Sequence, residues 1–168
     1  MSEFGVGEIE VPDGYSAIVG RPHADLDVAI VASRFNADVV QLLLEGAVEE
    51  LAGHGIDHDR VTIVLVPGAW ELPLACRRLA EAGGHHAVVA LGCVIRGETP
   101  HFEYVCAEAA RGITDAAKDT GVPVAFGVLT VDTVEQAEAR IEKAAEAVRS
   151  ALEMADAFSQ LRTTAARQ

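Results

Sequence analysis

Four short stretches of this sequence place chemically capable side chains beside residues that turn a chain. In Arg96-Gly97-Glu98-Thr99-Pro100-His101, Thr99 suits a helix N-cap and Pro100 the first helical position. The free amides of such a helix start face an anion such as phosphate. His101 then falls in the first turn. The positive helix end disfavours imidazolium there, and a bound phosphate acts oppositely. Imidazole ordinarily titrates near pH ~6.5, which suits proton transfer. A solvated surface histidine is the alternative.

In Val66-Pro67-Gly68-Ala69-Trp70-Glu71, the chain's one Trp stands beside an acid in a Pro-Gly turn. The turn's backbone donors and the Glu71 carboxylate suit hydroxyl groups, or the turn simply packs its Trp. In Ser33-Arg34-Phe35-Asn36, Phe35 suits stacking on a planar ligand. The plainer reading is a core Phe with Asn36 as N-cap of the next helix. The fourth stretch is Phe126-Gly127, followed by Arg140 and Lys143. These two cations are spaced so that one helical face presents both, although solvated helix charge is the ordinary explanation for such a pair.

The first three stretches follow apolar runs, and Phe126-Gly127 lies inside a fourth. DVAIVAS, VTIVLV, HHAVVALGCVI and VPVAFGVLTV read as strands, rich in β-branched residues and nearly continuous in apolar character. Between them lie helical patterns: NADVVQLLLEGAVEELAGHG, with Gly53 placed to end it, ELPLACRRLAEAGG, and PHFEYVCAEAARGITDAAKDTG. Thr133-Val-Glu-Gln136 has capping-box form. From it Val134, Ala137, Ile141, Ala144, Val148, Ala151, Ala155 and Phe158 step by three and four without Gly or Pro, which predicts one long helix. Residues 161–168 are expected to fray. Strand alternating with helix predicts an α/β fold, a three-layer α/β/α sandwich on a four-stranded parallel sheet. Such sheets bind ligands at the carboxyl ends of their strands, where these stretches fall. A short apolar piece, Tyr15 to Val19, is expected to add an edge strand to this sheet or a neighbour's. With no internal repeat or linker, 1–168 reads as a single domain with a 1–14 extension.

Composition narrows the function. Lys and Arg number 13 against 26 acids, for a net charge of −13. That field opposes nucleic-acid phosphates and anionic lipid. No apolar run reaches the roughly 18 residues of a membrane span, and the acidic, Gly-rich start is unlike a secretory signal. The three cysteines, Cys76, Cys93 and Cys106, form no CxxC pair and sit among apolar residues. They read as buried free thiols in a reducing cytoplasm. There is no P-loop, dinucleotide fingerprint or Gly-x-Ser-x-Gly elbow. His54 and His58 flank Gly55 and Asp57, which suggests a loop rather than a zinc site.

The segments IVASRFN, VPGAWELP, ALGCVIRGETPHFEYV, FGVLTVDTVEQA and SALEMA together resemble the lumazine synthase family in order and spacing, from about Asp27 to Phe158. The resemblance implies a flavodoxin-like fold and the penultimate step of riboflavin synthesis, without metal or cofactor. In that step 5-amino-6-(D-ribitylamino)uracil and 3,4-dihydroxy-2-butanone 4-phosphate give 6,7-dimethyl-8-ribityllumazine. By motif, Phe35 and Phe126 would bound the pyrimidine pocket. Ala69, Trp70 and Glu71 would hold the ribityl chain, and the backbone of Cys93, Val94 and Ile95 the pyrimidine edge. Glu98, Thr99 and Arg140 would bind the phosphate substrate, and His101 would be the general acid/base. Phe126 and Arg140 would come from an adjacent subunit of a pentamer, in some members part of an icosahedral shell. The pattern departs after Arg140, where Ile141-Glu142-Lys143-Ala144 replaces a Gly- and Lys-rich loop. Lys143 and Glu146 would stand in for part of it, and a helical kink there is expected to be lost. Two rivals remain: a non-enzymatic shell-forming or flavin-binding relative, and an unrelated flavodoxin-like nucleotide-binding module.

Overall fold

The computed structural model describes residues 6–166. Its strands are β1 (Val28–Ser33), β2 (Val61–Val66), β3 (Ala87–Ile95) and β4 (Val124–Val131). All pair parallel, in the order β2-β1-β3-β4. The helices are α1 (Ala37–Gly53), α2 (Leu72–Ala82), α3 (His101–Thr120), α4 (Val134–Glu138) and α5 (Lys143–Ala165). This is the expected α/β sandwich, flavodoxin-like in plan.

The two central strands explain their own composition. Every residue of β1 is buried, as are the first seven of β3, because helices cover both faces. One core layer packs Ile30, Val89 and Leu91 against Leu43 of α1 and Val148 and Leu152 of α5. The other packs Val31, Val88 and Ala90 against Leu72 and Cys76 of α2 and Ile113 of α3. The edge strand β2 leaves Ile63 and Leu65 exposed. Among the described residues no helix is long and apolar enough to cross a membrane.

Two expectations need correction. The long C-terminal helix is broken: α4 ends at Glu138 and α5 starts at Lys143. In a continuous helix the Gln136 carbonyl would accept from the Arg140 N–H. Here that N–H donates to Ala137 O at 2.9 Å, and the Arg140 guanidinium donates to Gln136 O at 2.8 Å. Lys143 N–H to Arg140 O and Ala144 N–H to Ile141 O continue the tighter i→i−3 pattern. The break needs no Gly or Pro, and it keeps Ala137, Ala144, Val148, Ala151 and Ala155 buried on one stripe. At the other end α5 runs to Ala165, with Thr163 and Thr164 hydroxyls donating to carbonyls one turn back. Arg167 and Gln168 lie outside the described residues.

Helix α1 ends at Gly53, as expected, and the left-handed residue beyond it is Gly55, at φ 78°. The second correction is that Tyr15–Val19 forms no strand with this sheet. Instead the following residues are tied to α5. Arg21 N–H donates to Asp156 at 2.7 Å and Gln160 donates to Val19 O at 3.1 Å. Gly20 lies against the α5 backbone so closely that a Cβ there would fall 1.7 Å from Glu153 O.

Candidate active site

Strand order reverses between β1 and β3, so the loops leaving their carboxyl ends diverge and open a crevice. A cleft of about 370 Å³ lies there. Phe35 and Asn36 reach it from the end of β1, Pro67–Glu71 from β2, and Cys93–Ile95, Gly97, Thr99, His101 and Phe102 from β3 and the start of α3. Three of the four stretches singled out in the sequence therefore converge on one concavity.

Local folding sets each wall. Phe35 is 72% exposed and Trp70 56%, so neither is core filler; both present rings to the cleft. The Pro-Gly turn is closed by Glu71, whose carboxylate accepts the Gly68 N–H at 2.9 Å. One carboxylate oxygen thus shapes the turn and the other remains for a ligand. Ala69 is buried beneath. Cys93, Val94 and Ile95 supply the floor from the last residues of β3. Burial pushes the Cys93 thiol up to about 11, and the Cys76 thiol, deeper under α2, up to about 12. Both are neutral near pH 7 and neither is a nucleophile there. Cys106 is only half-buried, against the expectation that all three thiols are enclosed.

The helix start differs in detail from its expected cap. α3 begins at His101, with Pro100 already in the αR region, and the Thr99 hydroxyl makes no capping bond among the described residues. The N–H groups of Gly97, Glu98 and Thr99 donate to no backbone carbonyl there. Glu98 is exposed between two lining residues without lining the cleft itself.

Phe126, Arg140 and Lys143 lie elsewhere. Phe126 is 45% exposed on β4, where it pairs with Ala90, three residues before the Cys93 level. With Lys143 and Glu146 it borders a separate depression. The Lys143 ammonium donates to Glu146 at 2.6 Å. Arg140 is exposed in the turn between α4 and α5 and borders neither cavity, so it and Lys143 do not share one helical face.

Asn36 has a part that its N-cap reading missed. It is the one non-glycine residue with positive φ among those described (φ 57°), and its side chain does not cap α1. Its amide donates instead to Cys93 O at 2.8 Å, tying the ends of β1 and β3 together under the cleft. Asn tolerates the left-handed region better than most residues, so its place directly after a strand was the available signal. His54 bonds Glu50, and no group of His, Cys, Asp and Glu among the described residues could hold a metal ion.

The family model described as 6,7-dimethyl-8-ribityllumazine synthase matches residues 25–159, which include every residue of the cleft.

Proposed function

The chain belongs to the 6,7-dimethyl-8-ribityllumazine synthase family, an enzyme family of riboflavin biosynthesis, and from that premise we propose that it catalyses the family's condensation. The ribitylaminouracil amine attacks the ketone of 3,4-dihydroxy-2-butanone 4-phosphate and water leaves to give an imine. Phosphate is eliminated, the ring closes, and a second dehydration gives the lumazine. The observation that carries this reading is the convergence of Phe35, Ala69–Glu71, Cys93–Ile95, Thr99 and His101 on one cleft.

Each lining group suits a part of that reaction. Phe35 stacks on the pyrimidine, while the backbone of Cys93–Ile95 meets its polar edge. The Ala69–Glu71 turn takes the ribityl hydroxyls. Thr99 and the neighbouring amides that bond no backbone carbonyl, with Glu98 beside them, take the phosphate. His101 carries protons between the amine, the carbinol and the leaving water.

The parts outside the cleft come from a second copy. Phe126, Arg140 and Lys143 lie on the β4–α5 side, remote from their own cleft, and we assign them to a neighbour's site in a pentamer. The open edge of β2 and the exposed Val6, Ile9, Tyr15 and Val19 of the N-terminal arm support an assembly in which the arm lies on a neighbouring sheet. The whole of 1–168 acts as one catalytic unit in that assembly.

The test is to mix the purified protein with both substrates, follow lumazine absorbance, and measure mass by light scattering. Lumazine formation by a species of about five chains is expected. His101→Ala should lower kcat by about 10- to 10⁴-fold. Binding of lumazine or flavin without product formation would favour a non-enzymatic relative instead.

A further inference from the structure

Arg96 stands where three elements meet, and its contacts are not explained by substrate binding. Its backbone N–H donates to Val131 O at 2.9 Å, joining the last residues of β3 and β4. The side chain then reaches two ways. Nε donates to Asp132 Oδ1 at 2.7 Å, in the connection between β4 and α4. Nη1 bonds Glu103 in the first turn of α3. Between them the guanidinium carbon lies 4.2 Å from the centroid of the Phe102 ring. Phe102 follows His101 directly and lines the cleft. Arginine alone offers a planar fork that pairs on two sides while stacking on an aromatic face.

The network continues past Asp132. The Asp132 N–H donates to Gln136 Oε1 at 2.8 Å, and the Gln136 N–H donates to Thr133 Oγ1 at 3.2 Å, which fixes the start of α4. One turn on, the Arg140 guanidinium rests on Gln136 O. A single side chain therefore touches the turn that holds His101 and the segment that presents Arg140.

We propose that Arg96 is a positioning residue for both, orienting the His101 turn in its own subunit and, through Asp132 and α4, the Arg140 that is offered to a neighbour. This rests on the functional reading above. Exposed ion pairs contribute little to stability, so the expected effect is on geometry. The His101 arm depends on Glu103 and the Arg140 arm on Asp132, which makes the two separable by mutation.

The experiment pairs kinetics with hydrogen exchange on Arg96→Gln, Glu103→Gln and Asp132→Asn. In Arg96→Gln, exchange should rise in residues 98–104 and in 133–143. Its kcat should fall by up to about 100-fold, as for a misplacement near 1 Å, and KM for the phosphate substrate should rise several-fold. Glu103→Gln should lower kcat with KM little changed, and Asp132→Asn should raise that KM with kcat little changed. A merely structural role would lower the melting temperature without this split. Unchanged exchange in both segments of Arg96→Gln overturns the proposal whatever the activity, and so do wild-type kcat and KM in that variant. A wild-type protein that forms no lumazine refutes the functional reading before any variant is compared.

Discussion

Gly112→Ala puts one methyl group between the two helices that frame the cleft. Gly112 lies in α3 against Pro73, the second residue of α2, and a Cβ on it would stand 2.6 Å from Pro73 Cβ and 2.9 Å from Pro73 Cγ. Carbon atoms pack best at roughly 3.5–4.0 Å, so the helices must part by about 1 Å. Proline has no flexible end to swing away, and the shift passes to Glu71 and Trp70 immediately before α2. Overpacking costs about 1–3 kcal/mol, while replacing a mid-helix Gly by Ala returns about 1 kcal/mol. The net loss of about 0–2 kcal/mol lowers the melting temperature by only about 0–8 °C at this chain length. Activity should suffer more, because about 1 Å at the ribityl turn can cost as much as ~100-fold. The assay is kcat/KM for lumazine formation beside a thermal melt of the same sample. An activity within twofold of wild type would refute the reasoning, since the cleft would then not depend on the spacing of α2 and α3.

Three further outcomes are expected. Asn36→Ala loses both the bond to Cys93 O and a residue tolerant of positive φ, for about 1.5–3 kcal/mol in sum. Asn36→Gly loses only the bond, so calorimetry should show Ala melting below Gly. With burial holding the Cys76 thiol at about 12 and the Cys93 thiol at about 11, a thiol-alkylating reagent at pH 8 should react with both at least ~100-fold more slowly than in denatured chain, read by mass spectrometry. The backbone N–H of Arg21, then Gln160 and His23, hold the Asp156 carboxyl below the ordinary range. A depressed folded pKa gives a contribution that is present above the unfolded value and lost as pH falls through the folded one. Hydrogen exchange in residues 15–24 should therefore rise below pH ~3.9, and Asp156→Asn should show the faster exchange at neutral pH.

The layers of the fold were legible because the signals that specify them are local. Continuous β-branched runs marked the strands buried on both faces, and three- and four-residue apolar steps marked the stripe of α5. What the sequence concealed was which donor and acceptor each polar group would take. Nothing in Ala139-Arg140-Ile141-Glu142 forbids a helix, yet a guanidinium takes the Gln136 carbonyl that the next backbone N–H would have used. Asn36 looked like a cap, but its side chain makes no capping bond and its amide N–H donates to Cys93 O, 57 residues away. The Thr99 hydroxyl makes no capping bond among the described residues, although Pro100 has the helical φ of a first helical residue.

The candidate site divides along a similar line. Phe35, Trp70 and His101 follow different strands, but parallel strands with one switch point bring their carboxyl ends together, so reading the topology placed them in one cleft. Phe126, Arg140 and Lys143 belong to the same set of motif residues and lie on another face. Within one chain none of Phe126, Arg140 and Lys143 lines the cleft. Under the proposed function the two groups meet only when a second copy presents its β4–α5 side to the first copy's cleft. A mixed assembly follows from that argument. Chains carrying His101→Ala and chains carrying Arg140→Ala, inactive or weak alone, should regain activity when refolded together, because some interfaces then pair an intact His101 with an intact Arg140. For a pentamer ring at equal mixing, about one interface in four is of that kind by random assortment under cyclic symmetry. Recovery near a quarter of the wild-type rate per chain supports shared sites, and no recovery from a mixture shown by mass to be hybrid rejects them.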